Sequence, residues 1–145
     1  MDSDNGNGGS GDFGTMVAPR RRIPHYHGES TRVLFVISAI VLIVAQSTGS
    51  NLPLSTMGSV IVALALVIAA GITNPAQGWI HWLNALLAAA GALIFGITAV
   101  DNYRAGVSIF DPSFIYVEAL ALLSLLALYF TTRTIRGFHL RPNLS

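Results

Sequence analysis

Apolar residues gather in four runs along the chain, at about 33–48, 54–72, 79–100 and 113–132, and turn-forming or charged residues separate them. None of the runs alternates polar with apolar positions, as a half-buried strand would. Three are near the roughly 20 residues that carry one helix across a bilayer. The first is shorter, and residues flanking it extend it. The pattern predicts an all-α, integral membrane four-helix antiparallel bundle.

The third run is patterned more finely. It spans Trp79 to Val100 without a formal charge. At near 100° per residue, His81, Ala85, Ala88, Ala92 and Ala99 fall on one narrow stripe, with Asn84 beside it. Small residues on one face let a neighbouring helix come close. Trp79 and Trp82 fall off the stripe, where an aromatic belt meets the membrane surface. This run is the expected packing centre, with Ala85, Ala88, Ala92 and Ala99 as its packing face.

The connections carry their own signals. Gly49 to Leu52 reads as a tight turn, and Pro53 suits the first turn of the second helix, where a missing N–H costs nothing. Asn74-Pro75 and Asp111-Pro112 each have the form of a cap followed by proline at the first helical position. Ser30 or Thr31 is the expected cap of the first helix. Asp101 to Pro112 is the longest connection between runs and the only one that carries charge.

Composition sharpens the membrane reading. Only 10% of the residues are charged, against about 25% in soluble domains. No Asp, Glu, Lys or Arg lies between Arg32 and Asp101. Such a run builds no water-facing surface, whereas in a bilayer charge is what is costly. Residues 1–31 are polar, with a Gly-rich acidic start whose composition predicts disorder, then Arg20-Arg21-Arg22 and His25-Tyr26-His27. Residues 32–132 form the membrane domain and 133–145 a short basic tail. The chain has no cysteine, which excludes disulfides and thiolate-held zinc.

Arginine sets the orientation, since there are no lysines. Arg20, Arg21, Arg22, Arg32, Arg133, Arg136 and Arg141 lie in or beside the two tails, and Arg104 alone lies on the other side. Both termini are therefore expected in the cytoplasm, with the Asp101–Pro112 loop outside the cell membrane. A rival reading takes the arginines, the short first run and Ala45-Gln46-Ser47 as a signal peptide with its cleavage site. The long preceding tail and the immediate return of the second helix argue against it.

Glu118 is the sharpest candidate for chemistry. An ionisable residue within a span is a functional hypothesis by default, for proton or cation handling. Its helix wheel groups it with Ala121, Leu122, Leu125 and Tyr129 on a face expected to point into the bundle. Gln46, Ser47, Ser55, Ser59, Thr98 and Arg104 are its candidate partners at that depth. The structural alternative is a carboxylate wetted near the outer interface. His81 and Asn84, near the opposite end, are candidates for a polar path or for interhelical hydrogen bonds, the latter being the commoner use in lipid. His81 and Glu118 are expected near opposite membrane faces, too far apart for one dyad.

The remaining polar features are weaker. His25 and His27 have no third ligand nearby for a metal site. Arg20–Arg22 suits anionic headgroups and topology rather than nucleic acid. Asp101, Arg104 and Asp111 form an external charge set, with Asp111 expected as a helix cap. Asn143-Leu144-Ser145 matches a glycosylation acceptor, but its expected cytoplasmic side leaves it unused. There is no phosphate-binding glycine loop, nucleophile elbow or His-Glu-x-x-His helix, so neither enzyme activity nor a cofactor is expected.

The entry Gly78-Trp79-Ile80-His81-Trp82-Leu83-Asn84 into a small-residue helix resembles the repeat of small bacterial membrane proteins of the SPW-repeat type. The likeness covers one helix of the four, and the Ser-Pro-Trp element of that family is absent. It implies two-helix membrane units and assigns no activity. Small multidrug transporters share the four-helix size but carry their membrane carboxylate in the first helix, where this chain has none. The expected function is a structural or accessory membrane protein, a helix-packing subunit of a membrane complex whose partners are the lipid bilayer and another membrane protein. The alternative is a homo-oligomeric small transporter or channel protomer using Glu118.

Overall fold

A computed structural model describes residues 28–72 and 78–139. Every regular element among them is an α-helix: α1 (Gly28–Ser47), α2 (Thr56–Ile72), α3 (Gly78–Arg104) and α4 (Pro112–His139). The chain is an all-α, four-helix protein. Three helices are long and apolar enough to cross a membrane, over Glu29–Ser47, Gly78–Arg104 and Pro112–Gly137. The 17 residues of α2 rise only about 25 Å at about 1.5 Å per residue. Leu52 and Leu54 pack against the core ahead of it and lengthen its apolar rod.

The helices outrun the apolar runs that announce them. α1 begins at Gly28 rather than near Val33, so Ser30 and Thr31 lie inside its first turn and do not cap it. Glu29 in that turn suits the positive end of the helix dipole. α3 continues past Val100 to Arg104, a cation beside the last carbonyls. α4 continues past Thr132 to His139, taking Arg133 and Arg136 into the helix. The end of an apolar run does not end the helix, and polar residues carry it further.

The caps explain the other boundaries. α2 starts after Ser55, whose hydroxyl accepts from the Gly58 N–H at 3.1 Å, and not at Pro53–Leu54. Asp111 caps α4 with its carboxylate on the Ser113 N–H at 2.8 Å, and Pro112 takes the first helical position. Asn74-Pro75 lies outside the described residues. α1 and α3 end alike. Gly49 and Gly106 both sit at φ 71°, and the next residue reaches back: Ser50 N–H to Ala45 O at 3.2 Å, Val107 N–H to Asn102 O at 3.0 Å. Glycine takes this left-handed position without steric cost.

Packing is cyclic but uneven. α1 packs on α2 and on α4, and α3 packs on α4 most extensively of all, while α2 and α3 meet sparsely. The diagonal pairs do not bring their backbones close among the described residues and meet only through core side chains. Two core layers draw on all four helices. One joins Ala39, Leu42, Ala63, Phe95, Leu120 and Ala121. The other joins Phe35, Ala69, Ala70, Ala88 and Ala127. From the second layer to the first, numbering rises on α1 and α3 and falls on α2 and α4, so neighbours run antiparallel.

Small residues set the closest approach. A Cβ at Gly91 would lie 2.6 Å from Ser124 Oγ and 3.3 Å from Ser124 Cβ, so α3 and α4 nearly meet there. Side-chain bonds pin the first turn: Gln46 donates to Thr56 Oγ1 at 2.8 Å and accepts from Ser59 Oγ at 3.1 Å. Ser113 Oγ accepts from the Asn51 N–H at 3.1 Å, joining that turn to the start of α4. The outer surface is apolar, with Ile40, Leu64, Leu86, Leu93 and Ile97 all more than half exposed. Continuous apolar surface on this scale is what lipid, not water, tolerates.

Candidate functional site

Few polar side chains interrupt the apolar bundle, and the backbone satisfies several of them. Ser38 donates to Leu34 O at 2.8 Å, Thr131 to Ala127 O at 2.7 Å and Thr134 to Phe130 O at 2.9 Å. Each bond closes on the carbonyl four residues earlier in the same helix. These hydroxyls are buried but carry no polar link across the bundle.

His81 and Asn84 enter the core from the first turns of α3. They are 3% and 1% exposed, alongside buried Ile80 and Ala88. Asn84 Oδ1 is fully buried and accepts no hydrogen bond among the described residues. An unpaired buried carbonyl is costly, and the interhelical hydrogen bond expected of Asn84 is not made by this oxygen among the described residues. Of the expected packing face, Ala88 and Ala99 are buried and Ala85 and Ala92 half-buried. Trp79 and Trp82 are about 60% exposed, at 60% and 62%, on the outer face.

Glu118 lies elsewhere. The expectation that its face points into the bundle is corrected: Glu118, Leu122, Leu125 and Tyr129 are all exposed, and Ala121 alone of that group is buried. The inward face of α4 is instead Val117, Leu120, Ala121, Ala127 and Thr131. Small and β-branched residues there let α1 and α3 approach closely. That gain outweighs any tendency to bring one carboxylate inside, and the bulky Leu and Tyr positions are left outward. The polar groups at the depth of Glu118 are engaged elsewhere: Gln46 with Thr56 and Ser59, Ser47 with Ile43 O, Ser55 as a cap, Thr98 with Ile94 O. Glu118 makes no hydrogen bond or ion pair among the described residues.

The candidates therefore form no common centre. His81 sits in the first turn of α3, while Glu118 sits in the second turn of α4 at the other end of the bundle. Their separation along the axis is on the order of 25 Å at 1.5 Å per residue. No group of three or more potential metal ligands occurs among the described residues. His25 and His27 lie outside them. One polar anchor escaped the sequence reading. Arg32, read there only as a topological charge, donates its Nε–H to the Ala70 carbonyl at 2.8 Å and so ties α1 to the end of α2. Its acceptor is a backbone carbonyl, so the sequence offered no signal for it. Comparison with family models, with curated proteins and with solved structures finds no match to this chain.

Proposed function

We propose that this chain is a four-span protein of the cell membrane, with both termini cytoplasmic, that serves as a structural or accessory helix-packing subunit of a larger membrane complex. The observation that carries this reading is the outward position of Glu118 on a face otherwise made of Leu122, Leu125 and Tyr129. A carboxylate set about 9 Å along α4, at 1.5 Å per residue, is expensive against lipid. A hydrogen-bond donor on an adjoining protein removes that expense. The locally bonded hydroxyls of the interior favour the same reading, since they offer no continuous polar path through one protomer.

The test is purification of the tagged full chain from its own membrane in mild detergent, with identification of what comes with it. The expected result is a stoichiometric unrelated membrane protein, and Glu118→Leu is expected to cut its recovery about tenfold or more, as losing a buried charged contact of about 2–5 kcal/mol would. A clean homo-oligomer overturns the accessory reading and favours the second one, a transporter or channel protomer. The same exposed Glu118 supports that alternative, because symmetry brings equivalent outward carboxylates around a shared axis. Glu118→Gln should then abolish proton or cation flux in liposomes.

The orientation rests on charge. Arg32, Arg133 and Arg136 share one end of the bundle, Arg104 stands at the other, and the remaining arginines continue the tails. The cysteine-free chain suits a direct test. In intact cells an impermeant maleimide is expected to label Ser108→Cys and to spare Ser3→Cys. The reverse pattern would invert the topology while leaving the fold intact.

A further inference from the structure

A groove of about 520 Å³ runs between α1 and α2 at the end of the bundle where α1 begins. That size falls within the roughly 300–1,000 Å³ of small-molecule sites. Its two ends differ chemically. Glu29 and Arg32 stand at the head of the groove, Val33, Ile37 and Val67 wall it, and Gly71 leaves room beside it. The three wall residues are 53%, 40% and 49% exposed, so the groove is open to the surroundings.

Arg32 is held rather than loose. Its Nε–H bonds to the Ala70 carbonyl at 2.8 Å, which fixes the plane of the guanidinium and leaves its two terminal nitrogens for another acceptor. No carboxylate pairs with it among the described residues. Glu29, one turn earlier on the same helix, likewise has no cation paired to it. A fixed guanidinium suits a phosphate oxygen, which it meets with parallel donors. An adjacent free carboxylate suits an ammonium and opposes a headgroup of purely negative charge.

The geometry points to a bound phospholipid with a zwitterionic amine headgroup: its phosphate on Arg32, its primary ammonium on Glu29, and one acyl chain along Val33, Ile37 and Val67. Charge complementarity selects this occupant over an anionic lipid, whose headgroup would leave Glu29 uncompensated beside a second negative charge. It also selects over a choline lipid, whose quaternary nitrogen has no N–H for the carboxylate. The level is right for a headgroup, since Arg32 lies about 6 Å along α1 at 1.5 Å per residue and the wall continues toward the hydrocarbon. Lipid here would fill the notch between two helices whose own packing leaves it open.

Native mass spectrometry of the purified full chain tests this with lipids of identical acyl chains. Phosphatidylethanolamine is expected to give a one-to-one adduct at least several-fold more abundant than phosphatidylcholine or phosphatidylglycerol. Arg32→Gln should reduce that adduct about tenfold. Glu29→Gln should abolish the preference over phosphatidylglycerol. Because Arg32 also ties α1 to α2, a third variant separates binding from folding. A Cβ at Gly71 meets nothing within 4 Å, and leucine favours helix more than glycine by several tenths of a kcal/mol or more. Gly71→Leu should therefore fold as well as the parent, by thermal unfolding in detergent, and lose the adduct by occupying the groove. Equal adducts from all three lipids, or an undiminished adduct in Gly71→Leu, would overturn the assignment and mark the lipid as nonspecific.

Discussion

Phe35→Ala should cost the bundle about 3 kcal/mol, the low end of the roughly 3–5 kcal/mol seen for Phe→Ala in protein cores. Phe35 is 2% exposed, and its core partners are Ala69, Ala70, Ala88 and Ala127, one set from each of the other helices. The layer's buried members are therefore four alanines around one ring, with Leu34, Leu66, Leu87 and Leu128 packed against its margin. Without that ring the alanines are too short to fill the space, and the surrounding helices must leave a void, shift together or turn a flanking leucine inward. The figure is set low because transfer out of water contributes little where the alternative solvent is lipid, so lost contacts carry the effect. Phe110→Ala is the control: that ring is 81% exposed in the loop before α4 and should change stability by less than about 0.5 kcal/mol. Unfolding titrations in mixed micelles distinguish the two, and equal costs would mean that Phe35 does not plug the layer.

Gly91→Leu is expected to be comparably damaging, and its comparison with Gly96→Leu is more telling than either result alone. Both glycines lie in α3, and leucine is favoured over glycine in a helix by several tenths of a kcal/mol. At Gly96 an added Cβ meets nothing within 4 Å, so that gain should appear as neutral or raised stability. At Gly91 the added Cβ would stand 2.6 Å from Ser124 Oγ and 3.3 Å from Ser124 Cβ. A serine hydroxyl can rotate away, but its Cβ moves only with the backbone of α4. Overpacking of this kind costs about 1–3 kcal/mol, and here it separates the most extensive helix pair in the molecule. Gly91→Ala combined with Ser124→Gly should recover most of the stability that Gly91→Ala loses. If Gly91→Leu and Gly96→Leu behave alike in detergent unfolding, the close approach of α3 and α4 is not a determinant of the fold.

Three helices were legible because each joins apolar composition to a length sufficient for a bilayer, and α2 because turn residues bound its apolar run. The start of α4 was legible too, since Asp111-Pro112 states a cap and a first turn in two residues. Helix ends were not, because Glu29, Arg133 and Arg136 extend helices into water by rules unrelated to hydropathy. On α3 the buried positions Asn84, Ala88, Phe95 and Ala99, with Gly91 at the Ser124 contact, follow a spacing of three and four residues. The expected stripe through Ala85 and Ala92 runs beside that line. A straight-wheel count drifts by about 20° per heptad from such a seam, and a small-residue rule does not see that Phe95 fills it.

Glu118 shows the other limit. The default that polar residues turn inward competes with the need of α4 to meet two neighbours closely, and Val117, Ala121 and Ala127 meet that need. The small-residue logic applied to α3 would have found this face on α4 as well. Arg32 was legible as a charge but not as an anchor, because its acceptor is a backbone carbonyl, which no sequence pattern marks.

The pairing of α1 with α4 has a consequence for how the molecule is made. α1 packs against α4, the last of the described helices, and each core layer draws on both. Chains emerge from the ribosome N-terminus first, so α1, once made, has its inner face covered on the α2 side alone until α4 has been translated. Contacts of such long sequence separation form late. A nascent chain that stops before α4 holds a finished first hairpin whose side facing α4 is still open.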